Sequence, residues 1–293
     1  MSELLWPKIM LTGANGQVGW ELQRTLVSLG HVYSFNRKAL GLSNPEKIKQ
    51  CVREIKPDLI VNAAAYTAVD KAEEEPELAR AVNGIAPAIL AEEAKKLNSV
   101  IVHYSTDYVF DGNNKVPYTE ADIPNPINVY GRTKLDGEKG IIDSGAHYLI
   151  FRTCWVYSLR GKNFLLTILR LAKEKEELRI VNDQLGSPTW SRLISEITAQ
   201  ILAHGRQKII DKQGLYNVSA GGKTTWFDFA NRIVEFIAES GQEYSKLIPV
   251  STSEYKTTAK RPLYSVLSNE KLKEAFGIKM PDWEHSLKLA LGK

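Results

Sequence analysis

Apolar residues in the first half of this chain form two kinds of run that take turns. Short blocks, Lys8-Ile9-Met10-Leu11-Thr12, Val32-Tyr33-Ser34-Phe35, Asp58-Leu59-Ile60-Val61 and Val100-Ile101-Val102-His103-Tyr104, have the length and near-continuous apolarity of buried strands. Between them the apolar positions recur at helical spacing. Val18, Leu22, Leu26 and Leu29 form one such stripe, with Gly30 where a C-terminal cap belongs. An amphipathic segment follows from Pro45 to Ile55, and another helix from about Pro76 to Leu97. This alternation predicts an α/β fold with a doubly wound parallel sheet, whose binding crevice collects the carboxyl ends of the strands.

After Tyr157 the pattern changes. Asn163 to Leu178 reads as a helix, Gly214 to Ser219 as a strand, and Thr225 to Ser240 as an amphipathic helix with Trp226 and Phe227 in its first turn. Residues 1–157 are therefore expected to form the sheet domain. Residues 158–293 should form mainly a smaller C-terminal α/β lobe, with some segments returning to the sheet. The run Lys173-Glu174-Lys175-Glu176-Glu177 reads as solvated helix surface.

The first strand runs directly into Gly13-Ala14-Asn15-Gly16-Gln17-Val18-Gly19 and then into a helix. In that setting each glycine has a separate job. Gly13 permits the tight turn, Gly16 lets the backbone approach a pyrophosphate, and Gly19 lets the helix pack closely; the anion then meets free N–H groups at the helix N-terminus. The spacing is Gly-x-x-Gly-x-x-Gly, and the flanking strand and helix point to a dinucleotide-binding Rossmann domain. The second strand ends at Asn36-Arg37-Lys38, an amide and two cations where an acidic residue would favour NAD. That places NADPH ahead of NADH. Small residues in Asn62-Ala63-Ala64-Ala65-Tyr66-Thr67, at the end of the third strand, leave room for a ligand.

Tyr130 and Lys134 are four apart, which on a helix puts phenol and ammonium on one face. A neighbouring cation lowers the pKa of a phenol and makes it a usable proton donor, so the pair suits carbonyl reduction.

Composition narrows the classes. The chain has 293 residues, 43% hydrophobic and 25% charged, with a formal charge of +4, so neither nucleic acid nor membrane is indicated as a partner. Cys51 and Cys154 stand alone, and histidines 31, 103, 147, 204 and 285 show no ligand spacing, which argues against a disulfide framework or a metal cluster. The start, Met1-Ser2-Glu3-Leu4-Leu5-Trp6-Pro7, lacks a basic region and a long apolar core, and no run of about 18 apolar residues occurs. A cytoplasmic protein is expected.

In this order, Gly13-x-x-Gly16-x-x-Gly19, Asn62-Ala63-Ala64, Ser105-Thr106 and Tyr130-x-x-x-Lys134 resemble the extended short-chain dehydrogenase/reductase superfamily. Within it, Gly19-Trp20-Glu21-Leu22 and the stretches Asn62 to Asp70, Tyr104 to Phe110, Phe151 to Tyr157 and Asn182 to Thr189 resemble the dTDP-4-dehydrorhamnose reductase family, a likeness reaching Arg261-Pro262 and Pro281-Asp282-Trp283. The resemblance implies hydride delivery from NAD(P)H to C4 of a 4-keto-6-deoxy sugar on dTDP. Tyr130 would protonate the ketone oxygen, Lys134 would tune the phenol and hold the nicotinamide ribose, and Thr106 would bond the ketone. Matched positions imply Thr67, Val69, Asp107, Tyr108 and Trp155 around the sugar. They also imply Asn15, Gly16, Gln17, Val18, Ala63, Ala64, Ala65, Tyr66, Thr67 and Tyr104 beside the cofactor, with Asn36 and Arg37 at its adenosine end. Lys223, Lys260 and Arg261 are candidates for the diphosphate.

One departure concerns a magnesium ion that joins some family dimers. Glu21 is retained, but Ser191-Arg192 replace the partner acid and the acidic tail end is missing, so no magnesium is expected and that dimer is in doubt, although a homodimer stays open. Alternatives on the same scaffold are a nucleotide-sugar dehydratase or epimerase, and a non-catalytic NADP-binding regulatory subunit. Tyr108 stands where the dehydratases carry a glutamate, and retention of Thr106, Tyr130 and Lys134 weighs against the regulatory subunit. The stereochemistry of the C4 product and the choice of dTDP over UDP are open at this level.

Overall fold

The computed structural model describes residues 5–238 and 244–293. The strands are β1 (Lys8–Thr12), β2 (His31–Phe35), β3 (Leu59–Asn62), β4 (Val100–Thr106), β5 (His147–Thr153), β6 (Val156–Tyr157), β7 (Glu177–Val181), β8 (Leu185–Gly186), β9 (Thr189–Trp190), β10 (Gly214–Asn217), β11 (Thr224–Thr225) and β12 (Lys246–Val250). The α-helices are α1 (Gln17–Thr25), α2 (Pro45–Ile55), α3 (Val69–Glu74), α4 (Pro76–Arg80), α5 (Ala86–Lys96), α6 (Val129–Ser144), α7 (Phe164–Glu174), α8 (Ser191–Leu202), α9 (Arg206–Asp211), α10 (Trp226–Ala238), α11 (Glu270–Phe276) and α12 (Trp283–Ala290).

Six strands form one parallel sheet in the order β10-β5-β4-β3-β1-β2. Successive side chains on a strand point to opposite faces, and each face has its own apolar layer. Ile9, Leu11, Leu59, Val61, Val100 and Val102 pack with α1, α8, α9 and α11 on one side; Met10, Ile60, Ile101 and Ile150 pack with α2 and α5 on the other. Both layers are dry enough that the central strand residues are wholly buried. At roughly 1.5–3 kcal/mol per buried aliphatic side chain, they are a major source of the fold's stability.

The remaining chain builds a second layer system. Tyr157, Leu165, Phe229, Ile233, Trp283 and Leu287 form a core among α7, α10 and α12, while β7 pairs with β12. A smaller cluster around Phe110, Tyr118, Cys154 and Tyr264 fills the seam between this lobe and the sheet. The strand read at Gly214 is β10 and lies beside β5 in the main sheet.

Several boundaries differ from the sequence reading. Gly30 does not cap α1: Leu26 does, and Gly30 lies so close to the Trp6 carbonyl that any Cβ would collide with it. The helix expected over Pro76 to Leu97 is interrupted by a π turn at Ala81–Ile85. Pro87 has no N–H to offer the preceding turn, and the Asn83 carboxamide is drawn off to the backbone of Tyr66 and the hydroxyl of Thr133. The helix from Asn163, whose side chain caps it, stops at Glu174. Glu177 and Leu178 belong to β7, so the charged run is part helix, part strand. The helix over Thr225 to Ser240 begins at Trp226 because Thr225 pairs in β11; Ser240 lies outside the described residues.

Candidate active site

The turn after β1 makes the first wall. Gly13 adopts φ 74°, and a Cβ there would stand 2.6 Å from the Ala63 carbonyl carbon and the Ala64 nitrogen. Only glycine fits. At Gly19 a Cβ would run into the Gly13 carbonyl, so this residue lets α1 close onto the turn itself. The helix N-terminus has no side-chain cap, which leaves its first-turn N–H groups available to an anion.

A cavity of about 840 Å³ opens in front of this turn. Its walls hold Gly13, Asn15 to Val18, Arg37, Ala63 to Thr67, Tyr104, Tyr130 and Lys134. Gly19 and Asn36 are outside the lining. The Asn36 oxygen is taken by the backbone N–H groups of Lys38 and Ala39, at 2.9 and 3.1 Å. Tyr104 meets the cavity although its phenol hydrogen-bonds Thr198 of α8 at 2.7 Å on the other face of the sheet. Tyr66 is tethered at both ends, by its N–H to Asn83 and its hydroxyl to Glu75.

The second wall comes from α6 and the end of β4. Asn128 caps α6 by accepting from Gly131, and Gly131 and Gly137 let the helix lie against the Tyr108 and Asn83 carbonyls. This seats Tyr130 and Lys134 in the same cavity as the glycine turn. Thr106 donates to Asp107 Oδ1 at 3.0 Å and accepts from the Tyr108 N–H at 3.2 Å, and its hydroxyl lies beside the Tyr130 phenol. Tyr108 meets Tyr130 edge to face at 5.9 Å.

The electrostatics depart from expectation at one point. Lys134 does not lower the Tyr130 pKa; burial, with Asp107 adding to it, pushes the phenol up to about 12 against the opposing influence of the nearby Thr106 hydroxyl. The Lys134 ammonium is turned inward, donating to the Tyr104 carbonyl at 2.5 Å and facing His103 Nε2 at 3.1 Å. Burial brings its own pKa down to about 8, and Glu138 opposes that shift. Asp107 is pushed up to about 6 by burial while it accepts from the Cys154 thiol at 3.2 Å.

Residues expected around a sugar are spread more widely. Thr67 lines the cavity, whereas Val69, Thr106, Asp107, Tyr108 and Trp155 lie outside its lining. Val69 begins α3. Trp155 takes a left-handed φ of 43°, stacks on Trp226 at 3.6 Å, and presses against Gly186 so tightly that no Cβ fits there. Lys260 and Arg261 border a second cavity of about 480 Å³, and Lys223 does not. The Arg261 guanidinium is committed to Asp70, at 2.7 and 3.2 Å.

The sequence reading missed His103, Ser105, Thr153 and the rim Arg160-Gly161-Lys162, which borders the cavity with Arg160 over the Trp20 ring. The polar His103 inside an otherwise apolar strand was one available signal, and Ser105 and Thr153 lie within the stretches Tyr104 to Phe110 and Phe151 to Tyr157. Among the described residues, no three His, Cys, Asp or Glu side chains gather as a metal site, and no helix is long and apolar enough to cross a membrane. Ser191 opens α8 and Arg192 pairs with Glu196 at 2.9 Å.

A doubly wound parallel sheet, a glycine turn before an uncapped helix, and a tyrosine and lysine in the same cavity define the class: an extended short-chain dehydrogenase/reductase scaffold. The family described as RmlD substrate binding domain matches residues 7–293. The dTDP-4-dehydrorhamnose reductase of Burkholderia thailandensis is 48% identical, with 97% of this chain and 98% of that protein covered. Among solved structures, a dTDP-4-dehydrorhamnose reductase from Bacillus anthracis in complex with NADP superposes with a TM-score of 0.89 at 36% identity, over 97% of this chain and 98% of that one. An orthologue from Clostridium acetobutylicum gives 0.90 at 37%, over the same shares. The chain belongs to the dTDP-4-dehydrorhamnose reductase family.

Proposed function

We propose that this chain reduces the C4 ketone of dTDP-4-dehydro-6-deoxy-L-mannose to dTDP-L-rhamnose, for nucleotide-sugar supply to cell-surface polysaccharide. The observation that carries this reading is one cavity shared by the glycine turn, Tyr130 and Lys134, with the Thr106 hydroxyl beside the phenol.

The residues present fit a dinucleotide. Beside the uncapped helix, Gln17 Oε1 and Thr153 Oγ1 are buried in the cavity wall with no partner among the described residues, acceptor and hydroxyl left for a ligand. Arg37 in that wall, with no acid at the end of β2, favours NADPH over NADH. When bound, the reduced nicotinamide supplies the hydride to C4.

The chain's own residues handle the proton. Tyr130, protonated throughout the neutral range, gives its phenolic proton to the oxygen that becomes the 4-hydroxyl. Thr106 orients the ketone through the hydroxyl that lies beside the phenol. The Lys134 charge acts on the phenolate as it forms and holds the ribose, so its contribution grows along the reaction rather than before it. On this reading Thr67, Val69, Asp107, Tyr108 and Trp155 surround the sugar, residues 1–157 carry the cofactor, and residues 158–293 carry mainly the nucleotide-sugar.

Purified protein given NADPH and the 4-keto-6-deoxy sugar on dTDP should consume the cofactor and form dTDP-L-rhamnose, read from the fall in NADPH absorbance and from chromatography of the product. NADPH binding without turnover on any 4-keto nucleotide-sugar would contradict the reading and favour a non-catalytic subunit.

A further inference from the structure

Register sets Thr12 of β1 beside Asn62 of β3, and Asn62 beside His103 of β4. The three side chains share the strand parity of Met10, Ile60 and Ile101, and so emerge as one row on the face covered by α2, α5 and α6. The neighbouring row is wholly apolar. The polar row is just as dry, with Thr12 1% and Asn62 and His103 0% exposed. Thr12 Oγ1 lies 2.6 Å from Asn62 Oδ1, Asn62 Nδ2 3.0 Å from His103 Nδ1, and His103 Nε2 3.1 Å from Lys134 Nζ. Four polar groups thus connect β1 to α6 in a single chain.

A neutral imidazole has one N–H and one bare nitrogen, and an ammonium only donates. Burial and the Lys134 charge hold the His103 pKa well below its usual range, so the ring is neutral. A charged Lys134 therefore requires a bare Nε2. The proton then sits on Nδ1, and Asn62 must present its oxygen to the ring and its NH2 to Thr12. With the carboxamide nitrogen toward Nδ1, the ring proton sits on Nε2 and the lysine must be a neutral amine. Lysine charge, imidazole tautomer and carboxamide orientation are one coupled variable.

We propose that His103, backed by Asn62 and Thr12, is a positioning residue of the reaction: with the Asn62 carboxamide turned over from the orientation measured above, so that its oxygen faces the ring, the bare Nε2 accepts from Lys134, keeps that side chain charged and leaves one N–H for the cavity. With the Tyr104 carbonyl, this settles two of the three ammonium protons. The inference rests on the role given to Lys134 above. The titratable and charged groups around that ammonium are Glu138 of its own helix, Arg152 of β5 paired with that carboxylate at 2.6 Å, His103 of β4, and Tyr130 one turn back.

The test is kcat against pH. Charged Lys134 is the working form and has its pKa at about 8, so kcat falls as pH rises through that value; Tyr130, at about 12, titrates outside the window. His103→Leu deletes the acceptor and should move this limb down by about one pH unit or more. His103→Gln offers a carbonyl to Lys134 and an amide to Asn62, and should restore it. Asn62→Asp fixes the ring proton on Nδ1 and should move the limb up by about one unit. A purely structural defect lowers kcat at every pH and leaves the limb where it was. Limbs unmoved in both His103→Leu and Asn62→Asp would overturn the proposal. Wild-type kcat in Lys134→Met would instead remove the reading beneath it, and the proposal with it. If the leucine variant does not fold, nitrogen NMR of histidine-labelled wild type decides: protonated Nδ1 with bare Nε2 below the limb supports the proposal, and protonated Nε2 overturns it.

Discussion

On the function proposed above, the cofactor-facing wall and the sugar-facing wall of this site are assembled from opposite kinds of chain organisation. Gly13 to Val18, Arg37 and Ala63 to Thr67 each sit immediately after a parallel strand, and the sheet brings those strand ends together with little help from the rest of the molecule. Around Thr106 and Trp155 the wall is tied together by contacts remote in sequence. Cys154 reaches Asp107, Ser187 donates to the Cys154 sulfur, Trp155 lies against Gly186 and Trp226, Leu185 pairs its backbone with Leu263, and Arg261 returns to Asp70. A strand end is a rigid platform; a seam of distant segments can move as a unit. On the function proposed above, the cofactor lies on the strand-end platform and the sugar against the seam.

The largest effect should come from breaking the fixed wall. Gly13→Val sets a branched side chain against the backbone of Ala63 at a left-handed position, and should cost about 1–3 kcal/mol of stability and abolish measurable NADPH binding. Thermal melting and a fluorescence titration check both. Arg37→Gln should weaken NADPH by roughly tenfold or more and leave NADH nearly untouched, as expected for a lost charge-assisted bond to a 2′-phosphate. Equal losses for the two cofactors would remove the NADPH preference from Arg37.

On the adjustable wall the signature is a different constant. Asp70→Asn loosens the tie to Arg261 and should raise KM for the nucleotide-sugar several-fold while the NADPH Kd stays the same. Arg261 holds the Asp70 carboxyl below its usual range, so this tie contributes above the unfolded carboxylate pKa and is lost as pH falls through the folded one. Trp226→Ala removes the stacking partner of Trp155 and should raise the same KM by only about two- to tenfold. A change in cofactor affinity in either variant would break the division between the two walls.

The same division governs what the sequence could disclose. Strand blocks, helix stripes and the glycine turn are local patterns, and β1, α2 and the Tyr130–Lys134 pair on α6 were legible from spacing alone. Gly30 and Pro76–Leu97 misled because the deciding contacts, Trp6 against Gly30 and Asn83 against Tyr66 and Thr133, are tertiary. The Tyr130 pKa was misread for the same reason. Spacing puts an amine near a phenol, but only the folded chain shows that the amine turns to His103 and the Tyr104 carbonyl. Arg160 borders the cavity without any motif to mark it.

The central claim is that the Tyr130 phenol supplies the proton. Tyr130→Phe removes one oxygen from a buried ring and leaves the glycine turn intact, so steady-state turnover alongside an NADPH titration isolates the chemistry. The account predicts an unchanged Kd with kcat lowered by about 10²–10⁴; a kcat within a few-fold of wild type at that same Kd would contradict it.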